Sequence, residues 1–219
     1  MADVINICAG PYGWLYDYGI ERPRVAQVVG RIVWGIDLAP LYASMHAVAE
    51  LPDGATVLDV PCGGGVALRA LRPRQQVRWI AVDLDPKMLE RCERRVAERG
   101  LDPASVELLE ADMHALPLPD ACADLCLSYS GLHMVPDPVT AVGQMARCVK
   151  PGGSLVGSTL LRDGTWRHRT LLGGGMRTGL TGRLLSAEEL RAALTDAGMD
   201  DVQISPDRGM TVFRARRAA

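Results

Sequence analysis

Short apolar runs alternate with amphipathic helical stretches along most of the chain, and no other feature limits the fold as much. Thr56 to Val60, Val77 to Asp83, Val106 to Leu109, Ala123 to Tyr129 and Ser154 to Leu161 each read as a short buried strand. A helical pattern follows Gly65 through Val66, Leu68 and Leu71. Another starts at Asp85-Pro86, an N-cap with Pro at the first helical position, and carries Leu89, Cys92 and Val96 as its stripe up to Gly100. A third starts at Asp137-Pro138 and turns Val139, Val142, Met145 and Val149 inward. Ser186 with Glu189 forms a capping box for a fourth. Such alternation predicts an α/β, Rossmann-like domain: a seven-stranded, mostly parallel sheet with helices on both faces. Two last strands near 202–205 and 210–214 are joined by the short link Pro206 to Gly209, which predicts a hairpin and an antiparallel final strand.

A chain of 219 residues suits one such domain. Its expected divisions are an N-terminal helical and aromatic cap (1–50), a ligand-binding core (51–161), a lid (162–185) and a C-terminal helix and hairpin (186–219). Hydrophobic residues make up 48%, which excludes a disordered chain. A net charge of -2 gives no electrostatic reason to expect nucleic acid or an anionic membrane as partner. The six cysteines form no C-x-x-C pair and read as free thiols of a reducing compartment, with packing preferred over metal binding. No signal peptide and no apolar run of membrane-spanning length is apparent. A cytoplasmic monomer or homodimer is expected, without a metal and without stable membrane insertion.

The chemistry concentrates at strand ends. The first strand runs into Asp59-Val60-Pro61-Cys62-Gly63-Gly64-Gly65 and then a helix. Glycines at such a turn let a ligand approach the backbone, at the edge where open α/β sheets bind ligands. A dinucleotide fold would ask for G-x-G-x-x-G, and Leu68 occupies the third position. Asp59 would repel a pyrophosphate and suits a ligand with positive charge. Asp83 ends the second strand, where an acid can accept both hydroxyls of a ribose. Asp85 serves as the helix cap, leaving Asp83 for the ligand.

The runs VLDVPCGGG, AVDLDPKML, EADMHALPLPDACADLCLSYSGLHMVPD and VKPGG, in that order, resemble the class I S-adenosylmethionine-dependent methyltransferases, and most closely the ubiquinone/menaquinone-type and small-molecule group. The resemblance covers roughly residues 55–160. It implies that Asp59 and the backbone of Cys62, Gly63 and Gly65 cradle the methionine end of the cofactor. By the same resemblance Asp83 holds the ribose, Leu84 packs on the adenine, Asp112 and Met113 meet the adenine amino edge, and Ser128 lies near the sulfur. The family usually has Gly at the position of Pro61, which fixes φ and lacks an N–H.

The expected activity is in-line methyl transfer to a small-molecule or quinone- or lipid-like acceptor. His133 is the candidate general base, with a hydrogen-bonded structural role as the alternative. Tyr16, Tyr18, His133 and Trp166 are the candidate acceptor-pocket residues. Two other readings stay open: a non-catalytic S-adenosylmethionine-binding module, and an NAD-dependent oxidoreductase on a related fold.

Overall fold

The computed structural model describes residue 27 and residues 37–163, 182–205 and 210–219. Among the described residues seven strands form one sheet: β1 (Thr56–Asp59), β2 (Arg78–Asp83), β3 (Val106–Glu110), β4 (Ala123–Tyr129), β5 (Val149–Leu160), β6 (Met199–Ile204) and β7 (Met210–Arg217), in the order β3-β2-β1-β4-β5-β7-β6. The strands β1 to β5 pair in parallel. The last strand, β7, runs antiparallel to both β5 and β6, as the short final link requires. The strand order reverses between β1 and β4, the place where open α/β sheets leave a crevice at their carboxyl ends.

Side-chain alternation along the strands builds two cores, one on each face. Leu58, Ile80, Val82, Cys126 and Leu155 pack on one side with Met145 and Leu194. Those last two belong to helices α3 (Pro138–Cys148) and α4 (Ala187–Asp196). Val57, Trp79, Ala81, Leu125 and Leu127 pack on the other side with Leu89, Cys92 and Val96 of α2 (Pro86–Glu98). A short helix, α1 (Ala39–Ser44), continues as a 3₁₀ turn, Met45–Val48, and packs beside Met210 and Tyr129. Full burial of a large aliphatic side chain contributes about 1.5–3 kcal/mol, so these layers hold the sheet rigid beneath its loops.

The helix starts follow their signals. Asp85 accepts from the Lys87 amide, Asp137 accepts from the amides of Val139 and Thr140, and Ser186 with Glu189 forms the reciprocal box. The stretch after Gly65 departs from expectation. It is a 3₁₀ turn, Val66–Ala70, closed by the Leu68 amide on Gly65 and the Leu71 amide on Leu68. Leu71 is already extended, and Pro73, which restricts Arg72 before it, keeps the chain from returning to a helix. Strand β5 also begins earlier than expected, at Val149, whose partner is Ala123, with a register shift before Leu125. Among the described residues no helix is long and apolar enough to cross a membrane.

Candidate active site at the strand tips

The loop after β1 is held on both sides. The Val60 amide donates to Leu127 of β4 (2.9 Å) and the Cys62 amide donates to Val82 of β2 (2.8 Å). Between them the Val60–Pro61 peptide is cis. Gly63 and Gly65 both lie in the left-handed region, at φ 50° and 74°. A Cβ on Gly63 would meet nothing within 4 Å among the described residues, which leave that backbone bare. A Cβ on Gly65 would come within 2.8 Å of the Cys92 sulfur and 3.0 Å of Leu68. Gly65 therefore lets the loop close on α2, while Gly63 leaves its outer surface bare.

Three carboxylates converge beneath this loop. Asp59 is 2% exposed, and its Oδ2 has no hydrogen-bond partner among the described residues. Burial pushes its carboxyl well above the usual range, and the nearby Cys92 and Asp83 push the same way. The Trp79 indole favours the charged form, yet its Nε1 also lacks a partner in hydrogen-bonding geometry among the described residues. Asp83 is engaged rather than idle: its oxygens accept the amides of Gly63 (2.8 Å) and Asp85 (3.0 Å). Burial still raises its carboxyl, although the amides of Asp85, Gly63 and Leu84 oppose that. Asp83 thus couples the glycine loop to the tip of β2. Asp85 caps α2 through Oδ1, and its Oδ2 is buried without a partner among the described residues.

The remaining sequence candidates sort by depth. Leu84 is 43% exposed and, with Val139, one of two large apolar side chains left open among the described residues, which suits a flat ligand surface. Met113 is buried. Asp112 accepts the His114 amide (2.9 Å) and lies 2.6 Å from the His114 ring, and the amide is the larger cause holding its carboxyl below the usual range. Ser128 is fully buried at the end of β4 and its hydroxyl has no partner among the described residues.

His133 is buried after β4. Its Nδ1 accepts the Leu160 amide (3.3 Å) and lies 3.4 Å from the Thr159 hydroxyl. With Nδ1 accepting, the ring proton sits on Nε2. Burial lowers its pKa to about 4. This geometry leaves the ring neutral, with its donor at Nε2. Tyr16, Tyr18 and Trp166 lie outside the described residues.

Two neighbours of the site were missed from sequence. Tyr129, whose hydroxyl lies 3.2 Å from that of Ser44, sits close enough to Asp59 for that acid to add to the effect of burial in raising its phenol. Period-two alternation could have found it, since Leu127 pairs with Asp59 and Tyr129 follows two residues on. Gly131 packs against Pro61, a contact that no sequence spacing marks.

Residues 58–157 match the family model described as a methyltransferase domain. The arsenite methyltransferase of Halobacterium salinarum is 26% identical over 192 residues, covering 86% of this chain and 48% of that protein. An uncharacterized methyltransferase of Mycobacterium tuberculosis is 34% identical over 132 residues, covering 58% of this chain and 64% of its own. The chain thus spans less than two thirds of these curated relatives. Among solved structures, phosphoethanolamine N-methyltransferase 2 of Haemonchus contortus, in complex with S-adenosyl-L-methionine, superposes with a TM-score of 0.67 at 14% identity, over 84% of this chain and 53% of that one. Residues 58–157 are thus similar in sequence to a methyltransferase domain, and the superposition shows that the chain shares the fold of a solved methyltransferase.

Proposed function

We propose that the chain transfers the methyl group of S-adenosylmethionine to a small-molecule acceptor, with quinone- or lipid-like compounds within that class. The observation that carries this reading is the buried Oδ2 of Asp59, unpartnered among the described residues, under a loop whose Gly63 backbone those residues leave bare. A buried carboxylate without a partner is costly, and a cationic ligand offsets that cost. The cofactor carries an ammonium and a sulfonium, whereas NAD would bring a pyrophosphate against the same acid.

The residues take these roles. Asp59 and the backbone of Cys62, Gly63 and Gly65 receive the amino-acid end of the cofactor. Asp83, already aimed by two amides, accepts the ribose hydroxyls, with lone pairs to spare on each oxygen. Leu84 covers one face of the adenine, and Asp112 with Met113 meets its polar edge. Ser128 and His133 stand at the β4 side, where His133 offers a hydrogen bond to the acceptor through Nε2. The bound cofactor supplies an activated methyl group for in-line displacement. Holding an acceptor in line can supply roughly 7–11 kcal/mol of the barrier, so no strong base is required for an acceptor that is already nucleophilic.

Calorimetry with S-adenosylmethionine, S-adenosylhomocysteine and NAD tests the cofactor assignment. Micromolar binding of the first two is expected, and binding of NAD alone overturns it. Asp83→Ala is expected to weaken binding by about 1–3 kcal/mol. A labelled-methyl screen against phenols, amines and quinone precursors then tests the transfer itself. Tight cofactor binding with no transfer to any compound would favour a binding module.

A further inference from the structure

We propose that Pro61 is a positioning residue, whose ring seats on Gly131 and sets the spacing between the cofactor loop and the tip of β4. The inference rests on the cofactor reading above and adds a specific contact to it. The backbone link between the β1 loop and β4 ends at the Val60 amide, which donates to Leu127. Pro61 has no amide with which to extend it. From there on the two loops meet sterically. A Cβ on Gly131 would lie 2.2 Å from Pro61 Cδ and 2.5 Å from Cγ, so the pyrrolidine ring fills the space a side chain would need.

Both sides of the contact are anchored elsewhere. On the cofactor side the Cys62 amide is held by Val82 and the Gly63 amide by Asp83. On the β4 side Ser130 sits at φ 58°, a left-handed conformation unusual for a residue other than Gly, Asn or Asp. Its amide donates to Ser158 of β5 (2.9 Å), and the Met134 amide donates back to Gly131 (2.9 Å). The ring is therefore a wedge between two fixed loops. One presents bare backbone to the cofactor; the other carries Ser128 and His133. The ring at position 61 demands the glycine at 131.

The test is a double-mutant cycle read by calorimetry with S-adenosylhomocysteine, at a temperature well below the melting point of each variant. Gly131→Ala drives a methyl group into the ring and is expected to weaken binding about tenfold. Pro61→Gly removes the ring and supplies the reference background. In that background Gly131→Ala is expected to cost less than about threefold, because the methyl group occupies vacated space. A purely structural contact would show its coupling in the melting temperature and leave ligand affinity uncoupled. Wild-type affinity in Gly131→Ala, or an equal loss in both backgrounds, overturns the proposal. If Gly131→Ala alone does not fold, a folded double variant that binds as Pro61→Gly does supports it, and an unfolded double variant overturns it. Absence of binding by the wild-type chain removes the cofactor reading and this proposal with it, whereas wild-type binding with additive losses removes only the proposal.

Discussion

Replacing Asp59 by Asn should make the ligand-free protein more stable while removing its grip on the cofactor. The side chain is 2% exposed and its Oδ2 lacks a partner among the described residues. Leaving such a group buried and unsatisfied costs about 1–3 kcal/mol. Burial holds the folded carboxyl well above its ordinary range, so the folded chain keeps this proton to a higher pH than the unfolded chain. Below the unfolded value, about 3.9, both states are protonated and the cost of the buried charge vanishes. It grows as pH rises towards the folded value and is complete above that. Asp59→Asn is isosteric and uncharged, so its gain should be larger at neutral pH and shrink towards pH 4. For a chain of this size about 1 kcal/mol moves the melting temperature by roughly 2–4 °C, which predicts a rise of about 2–12 °C. Thermal melts at pH 7.5 and 4.5, with and without S-adenosylmethionine, read both effects. Ligand at about one hundred times its Kd should stabilise the wild type by about 2.7 kcal/mol and the variant far less. A variant that melts lower at pH 7.5, or one that the ligand stabilises as much as the wild type, would refute the reasoning.

Two further outcomes follow from other residues of the site. Gly65→Ala places a methyl group 2.8 Å from the Cys92 sulfur at a φ of 74°, and should lower stability by about 1–3 kcal/mol in denaturant melts. His133, with its pKa lowered to about 4 by burial, should stay neutral from pH 8 down to pH 5; heteronuclear NMR should show the Nε2–H tautomer throughout, and titration near pH 6.5 would contradict the burial argument.

Much of the architecture was legible because the features that set it repeat. Period-two and period-3.6 patterns placed every strand of the sheet and the α-helices α2, α3 and α4, and the caps at Asp85, Asp137 and Ser186 lie where their residue types predict. Boundaries were less legible. The stretch after Gly65 has helical spacing, but five residues before a proline-restricted exit close only as a 3₁₀ turn. The start of β5 lies in Val149-Lys150-Pro151-Gly152-Gly153, where turn residues conceal a strand that pairs from Val149 across a register shift.

The site divides along the same line. Residues whose place follows from the end of a strand, Asp59 and Asp83, came straight from the pattern, and the structure brings them together under the glycine loop. What the pattern could not supply is how each group is occupied. Spacing alone left Asp83 free for a ligand, whereas two backbone amides fix it in place. Spacing alone allowed His133 to serve as a base, yet a single amide at Leu160 decides its tautomer and burial decides its charge. Pro61 looked like a defect in a glycine-rich loop until its partner came into view seventy residues along the chain, at Gly131. A substitution that seems to break a motif can thus be one half of a contact, and only the three-dimensional neighbour shows which loop it holds in place.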